Sequence, residues 1–399
     1  MKKIVIAGFA RARYIESLKN DNRFKDYEIV CVHNRLLEEK HKKSVMLFDR
    51  VISEPEFSSQ TNDFYSQIEA VSCTQERDII LYIDILYMLR FIDRDTYNLY
   101  LQLVNKKSFK EVLQKHNPQL VPKTWTRDQI SEVVYPVVAK PSGLSGSSFV
   151  QKIHNQSELL HYIDHVEHEI HVKSVASYNA KEIEIFFESF EVGPQFSVNM
   201  YVDKNSNITF CPILRVIPAG QIGIDDYYSV FQYTTDELSK EHVQLLEDNI
   251  RTIVDTFCIK NSSAHFDFVL TDSGFKFFEA GIRIGGLRQE VFEVGYGFNH
   301  FINDIDNRLG KKISLPEKKQ EVCIVQKASS IKGVLQDYSI PDTSEFDVVH
   351  KVPQRGVEVK PVKDGGATLV RYISSGQENL QERCSDLFKK ISLDVRPLE

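Results

Sequence analysis

The stretch at residues 261–286, NSSAHFDFVLTDSGFKFFEAGIRIGG, decides how the chain reads. Two β-prone runs, 265–270 and 275–280, flank Thr271, Asp272, Ser273 and Gly274. That spacing predicts a hairpin, with Gly274 supplying the left-handed residue of a three-residue turn. Centred on Ser273, the hairpin sets Asp267 directly opposite Glu279, on one face of the sheet. Facing carboxylates repel. A divalent cation between them removes that cost, and magnesium takes hard oxygen ligands. The competing reading is an ordinary solvated acidic hairpin. The next residues tip the balance: Arg283 and the pair Gly285, Gly286 come just after the second carboxylate. A guanidinium fork there suits an anionic substrate.

Around this stretch, 399 residues allow two or three domains and a sizeable core. With 42% hydrophobic and 26% charged residues the composition is that of a globular protein. The net charge of −7 argues against nucleic acid or an anionic membrane as partner. Six scattered cysteines lack zinc-type spacing and fit reduced thiols, hence a cytoplasmic location. The opening MKKIVIAGFARAR is interrupted by arginine too early for a signal peptide. The apolar run 79–92 carries Asp84 and Arg90 and is too short to span a bilayer.

Residues 1–104 read as a small open α/β domain. Its expected parts are strands at 3–7, 27–32 and 79–83, and helices after Gly8 and at 93–104. A single glycine at the first turn excludes the dinucleotide fingerprint. A helix begins near Lys106. Strand 137–141 then places Lys140 before the loop Gly143, Ser145, Gly146, Ser147 and Ser148, which reads either as an anion nest or as a flexible hairpin loop. His161 and His165 share a helical face, but no further ligand completes a metal site. Strands 183–188 and 195–202 place Glu188 and Gln195 at a rim, and Arg215 lies on the next strand. Residues 220–228 are a lid candidate. The long helix 237–258 precedes the hairpin, and the tail from 313 reads as an α+β unit.

In this order the parts resemble the ATP-grasp superfamily, and within it the carboxylate–amine ligases such as D-alanine–D-alanine and L-amino-acid (dipeptide) ligases. The resemblance implies an ATP-grasp fold of mixed α/β and α+β class. Its layout would be an N-terminal open α/β pre-ATP-grasp domain at 1–104, an ATP-grasp domain at 105–312 with its lid at about 125–190, and a small C-terminal α+β subdomain at 313–399. It implies ATP as substrate and two Mg2+ ions, with Mn2+ as a substitute. Lys106, Lys140, Ser145, Gly146, Ser147 and Ser148 would hold phosphates. Glu188, Ser189, Phe190 and Glu191 would contact adenine, with Gln195 where an acidic residue normally grips the ribose. Asp267 and Glu279 would be the metal ligands, and Arg283, Lys140 and Arg215 the catalytic cations. Gly281 stands where the family usually has a metal-binding Asn.

The activity so implied joins a small carboxylic acid or amino acid to an amine through an acyl phosphate, releasing ADP and phosphate. A variant loads an amino acid onto a carrier protein, and a rival is a non-catalytic nucleotide-binding scaffold. Small-molecule substrates are the expected partners, and the assembly admits a homodimer.

Overall fold

The computed structural model describes residues 1–37, 41–144, 146–174, 183–342, 344, 346–376 and 379–398, with side chains described up to 170 in the helix that ends at 174. Four sheets form among them. The first is parallel, in the order Arg50–Ser53, Tyr27–His33, Lys2–Ala7, Ile68–Cys73. Its fourth strand is not the one expected. Residues 79–83 are helical, within Ile79–Met88. Periodicity cannot separate a short buried strand from a helix that is apolar on nearly every side. Here Leu81, Tyr82, Ile83, Ile85 and Leu86 are all buried.

The central sheet is antiparallel and passes in order through Gly274–Gly281, Ser262–Thr271, Gln195–Val202, Leu214–Pro218, Ser229–Thr234, Glu321–Lys327, Val370–Gly376 and Val348–Lys351. The C-terminal segment holds the helix Leu380–Lys390 and a three-stranded sheet of its own, and three of its strands also extend the central sheet. One face of the central sheet is covered by Lys240–Thr256. Its Leu246, Ile250 and Ile253 recur at helical spacing and join Phe196, Phe266, Phe268 and Phe277 in one core. Each such side chain contributes about 1.5–3 kcal/mol by leaving water.

The last sheet, Thr124–Trp125, Ile185–Ser189, Val137–Pro141, Gln151–Ile153, carries the expected lid region. Its loop rests on the C-terminal segment, with the Phe149 N–H donating to the Val362 carbonyl at 3.2 Å. Asp226, in the 220–228 loop, accepts from the Val362 and Lys363 N–H groups at 2.8 and 3.0 Å. Both parts of the expected cover therefore meet residues 362–363.

Candidate active site

Asp267 and Glu279 are register partners across the hairpin. The route to that pairing differs from expectation. Thr271 pairs with Gly274, so the turn has two residues, Asp272 and Ser273, not three. Continued without interruption, that register would set Phe278 opposite Asp267. The register shifts between Asp267 and Phe268, because Phe268 pairs with Phe277 and Phe278 is left over. This bulge re-aims the strand and delivers Glu279. On its other side Asp267 pairs with Ser197 of Gln195–Val202. Burial pushes the Asp267 carboxyl above its ordinary range and Glu279 adds to the rise, while His265 opposes it.

Next to Glu279 lies a cleft of about 740 Å³, counting its open mouth. Lys106 is the first residue of the helix Lys106–His116, whose Asn105 cap accepts from the Lys107 and Ser108 N–H groups. Its Nζ donates to the Leu144 carbonyl at 2.6 Å and stands 3.4 Å from Glu279. Lys140, from Val137–Pro141, meets Glu188 on the adjacent strand at 2.5 Å. Ser189, Phe190, Glu191 and Gln195 line the far wall. Gly146 and Ser147 both have positive φ, 70° and 60°, and Ser147 reaches this cleft while Gly146 borders its continuation. Ser148 is on the loop but lines neither part, and Ser145 lies outside the described residues.

Sequence reasoning missed Lys110. It lies one helical turn beyond Lys106 and is fully buried. Its Nζ donates to the Phe278 carbonyl at 2.7 Å and pairs with Glu188 at 3.1 Å. Burial pulls the Lys110 ammonium down to about 7, against the pull of Glu188. Burial alone would raise the Glu188 carboxyl, but Lys110 and Lys140 hold it below the ordinary range. The i, i+4 spacing of Lys106 and Lys110 was the available signal, and only the packing shows that the second lysine is inside.

Past Glu279 the cleft widens into a second part of about 1370 Å³, again counting its open mouth, and Ser147, Gln195, Tyr227, Phe278 and Glu279 border both parts. Arg283 faces it, but the guanidinium is already engaged. Nε donates to Glu76 at 2.7 Å, Nη2 to the same carboxylate, and Nη1 to the Ile284 carbonyl at 2.7 Å. Glu76 comes from the N-terminal domain, which so contributes a side chain as well as a wall. Two further arginines, Arg288 and Arg371, also line this part and were not foreseen.

Arg215 lines neither part of the cleft. On Leu214–Pro218 the cleft-facing residues are Val216 and Pro218, so alternation turns Arg215 to the opposite face. There it donates to the Gln195 and Val216 carbonyls at 2.8 and 2.9 Å and stands 3.5 Å from Glu237. A catalytic Arg215 is not compatible with this placement.

Gly281 has a physical reason. It pairs with His265, and a Cβ there would lie 2.4 Å from the imidazole Cε1. The ring occupies the space that an Asn side chain would need. Among the described residues no group of three His, Cys, Asp or Glu side chains forms a metal cluster. Asp267 and Glu279 nonetheless fit a magnesium ion, which typically takes one or two carboxylates and completes its shell with phosphate oxygens and water.

Residues 133–290 match the profile of the ATP-grasp domain family. No curated protein sequence matches the chain. Among solved structures, the L-amino acid ligase from Bacillus licheniformis aligns with a TM-score of 0.76 at 15% identity, covering 99% of each chain. N5-carboxyaminoimidazole ribonucleotide synthetase from Thermotoga maritima aligns at 0.67 and 14% identity, covering 99% of this chain and 100% of that one. The biotin carboxylase domain of Hydrogenobacter thermophilus 2-oxoglutarate carboxylase, solved with MgADP and bicarbonate, aligns at 0.63 and 14%, covering 99% and 91%. At such identities the likeness carries the fold alone. Among the described residues no helix is long and apolar enough to cross a membrane.

Proposed function

We propose that this protein, which has the ATP-grasp fold and carries an ATP-grasp domain, is an ATP-dependent carboxylate–amine ligase acting on amino acids or small carboxylic acids. The observation that carries the reading is the position of Glu279. It faces Asp267 and borders both parts of one continuous cleft, with Lys106 and Lys140 on one side and arginines on the other.

Lys140 and Lys106, which line the cleft, would hold triphosphate oxygens, and the wall at 189–191 and Gln195 would receive the nucleoside. Magnesium, when held by Asp267 and Glu279, supplies the charge neutralisation that phosphoryl transfer needs. A substrate carboxylate oxygen attacks the γ-phosphorus and the bond to the ADP oxygen breaks, giving an acyl phosphate. An amine then attacks the acyl carbon, and phosphate leaves with the electron pair of the broken C–O bond. The amine proton passes to solvent or to a base. The loop that carries Gly146 and Ser147, anchored where Phe149 donates to the Val362 carbonyl, would exclude water from the acyl phosphate.

The test is a matrix of carboxylates and amines with ATP and Mg2+, read by ADP release and by mass detection of the amide. ADP release that requires both a carboxylate and an amine supports the reading. Release with neither, or with no member of a broad matrix, removes it.

A further inference from the structure

Arg288 and Arg371 differ from the other lysines and arginines of the cleft, Lys106, Lys140 and Arg283, each of which has a carboxylate partner. Arg288 is buried, yet its hydrogen bonds go only to neutral oxygens: Gln232 Oε1 at 2.9 Å and Ser197 Oγ at 3.0 Å. Its Nε has no partner among the described residues. Arg371 donates to Gln326 Oε1 at 2.7 Å and Thr368 Oγ1 at 3.0 Å, and to no carboxylate among the described residues. Arg283, by contrast, is paired with the Glu76 carboxylate.

One strut joins the two guanidinium groups. Gln232 Nε2 donates to Ser229 Oγ at 2.7 Å, and Gln326 Nε2 donates to the same oxygen at 2.8 Å and to the Ser229 carbonyl at 2.9 Å. Each glutamine turns its oxygen to an arginine and its amide N–H to Ser229. A guanidinium has no acceptor, so this orientation is the one that satisfies both ends. Both arginines are held rigidly without being neutralised. Burial lowers Arg288 to about 10, with Asp267 opposing, and lowers Arg371 to about 10, with Arg11 adding and Glu290 opposing. Arg288 is buried and Arg371 partly so; a charge left unpaired in such a place is costly, and an anionic ligand relieves it.

The spacing sets the ligand. Arg288 reaches from Ser197 to Gln232, so its head lies over the intervening strand Leu214–Pro218. Arg371 bonds to Gln326 on the strand Glu321–Lys327, two strands further on. Two strand spacings are about 10 Å. Arg288 lies on the Asp267 side of the cleft, since Ser197, which it touches, is the register partner of Asp267. The reacting group therefore belongs at the Arg288 end and a second acid at the Arg371 end.

We propose that Arg288 and Arg371, braced by Gln232, Ser229 and Gln326, form a two-point anion subsite that selects substrates bearing a carboxylate that does not react. The ligase reading, on which this rests, gives the carboxylate two sources: the second acid of a short diacid donor, or the acid group of an amino acid supplying the amine.

Titration calorimetry on the full chain, with Mg2+ and a non-hydrolysable ATP analogue, separates them. Glutarate against butyrate tests the donor, and alanine against alaninamide tests the amine substrate. In at least one pair the probe with the extra carboxylate is expected to bind at least about tenfold more tightly, an advantage lost in Arg371→Met. Gln326→Glu, nearly isosteric, supplies Arg371 with a carboxylate of its own and is expected to erase the same preference while melting within a few degrees of the parent. Equal affinities within both pairs, an advantage that survives both variants, or no binding of any probe would overturn the proposal. The readout is binding, so absence of turnover in the substrate matrix would count against the ligase reading and leave this subsite standing.

Discussion

Asp267 stands opposite Glu279 because Phe278 drops out of the ladder between them. Glu279 is partly exposed, and its one ion pair among the described residues is with Lys106 at 3.4 Å, so the fold does not depend on it. On its proposed role as a metal ligand, Glu279→Ala is expected to lower turnover at least about a hundredfold, since such a ligand contributes several kcal/mol to the transition state. Stability should hold or rise slightly, because a like charge facing Asp267 is gone. Parallel assays of activity and urea unfolding check this. Wild-type turnover in the variant would remove the metal assignment.

Glu188 sits between two lysines in a buried site. Glu188→Gln leaves both without a carboxylate and is expected to cost about 3 kcal/mol or more in stability. The double variant Glu188→Gln, Lys110→Met should recover part of that loss, which denaturant midpoints will show. Additive losses would mean that the lysine and the carboxylate are not energetically coupled.

Lys110 makes stability depend on pH. Its folded value lies near 7, and its ordinary value is 10.5. Between these the unfolded chain binds the extra proton, so stability rises with pH across that window, by up to about 1.4 kcal/mol per unit. Below about 7 both states hold the proton and the contribution is flat. Lys110→Met is expected to flatten the rise seen in urea titrations between pH 7 and 9. A slope unchanged by the substitution would show that Lys110 is protonated throughout.

His265 and Gly281 share one volume. Gly281→Asn is expected to cost about 2 kcal/mol through overpacking. His265→Ala combined with it should restore most of the loss, a positive coupling readable in melting curves. If Gly281→Asn alone melts like the parent, the imidazole does not occupy that space.

Arg283 and Glu76 tie the hairpin to the N-terminal domain. Arg283→Ala should destabilise by about 1–3 kcal/mol, because it strands a half-buried carboxylate. Removing Glu76 as well should restore stability. On the proposed role of Arg283 as the cation for the substrate anion, turnover is expected to stay low in the double variant. Recovery of both would make the pair purely structural.

The hairpin, the facing carboxylates, Lys106, Lys140 and the order of parts that resembles ATP-grasp proteins were legible in the residues alone. Those features are local: a turn, an alternation of side chains, a strand end. The bulge at Phe278 was not legible, since a two-residue turn and a three-residue turn read alike until the ladder is formed. Lys110, Glu76, Arg288 and Arg371 came to light with the folded chain. Each is remote in sequence from what it faces, and burial, which turns a surface lysine or arginine into a costly charge, exists only once the sheets have closed around it. Arg215 shows the same limit from the other side: its residue type suited the chemistry, and the pleat of one strand turned it away.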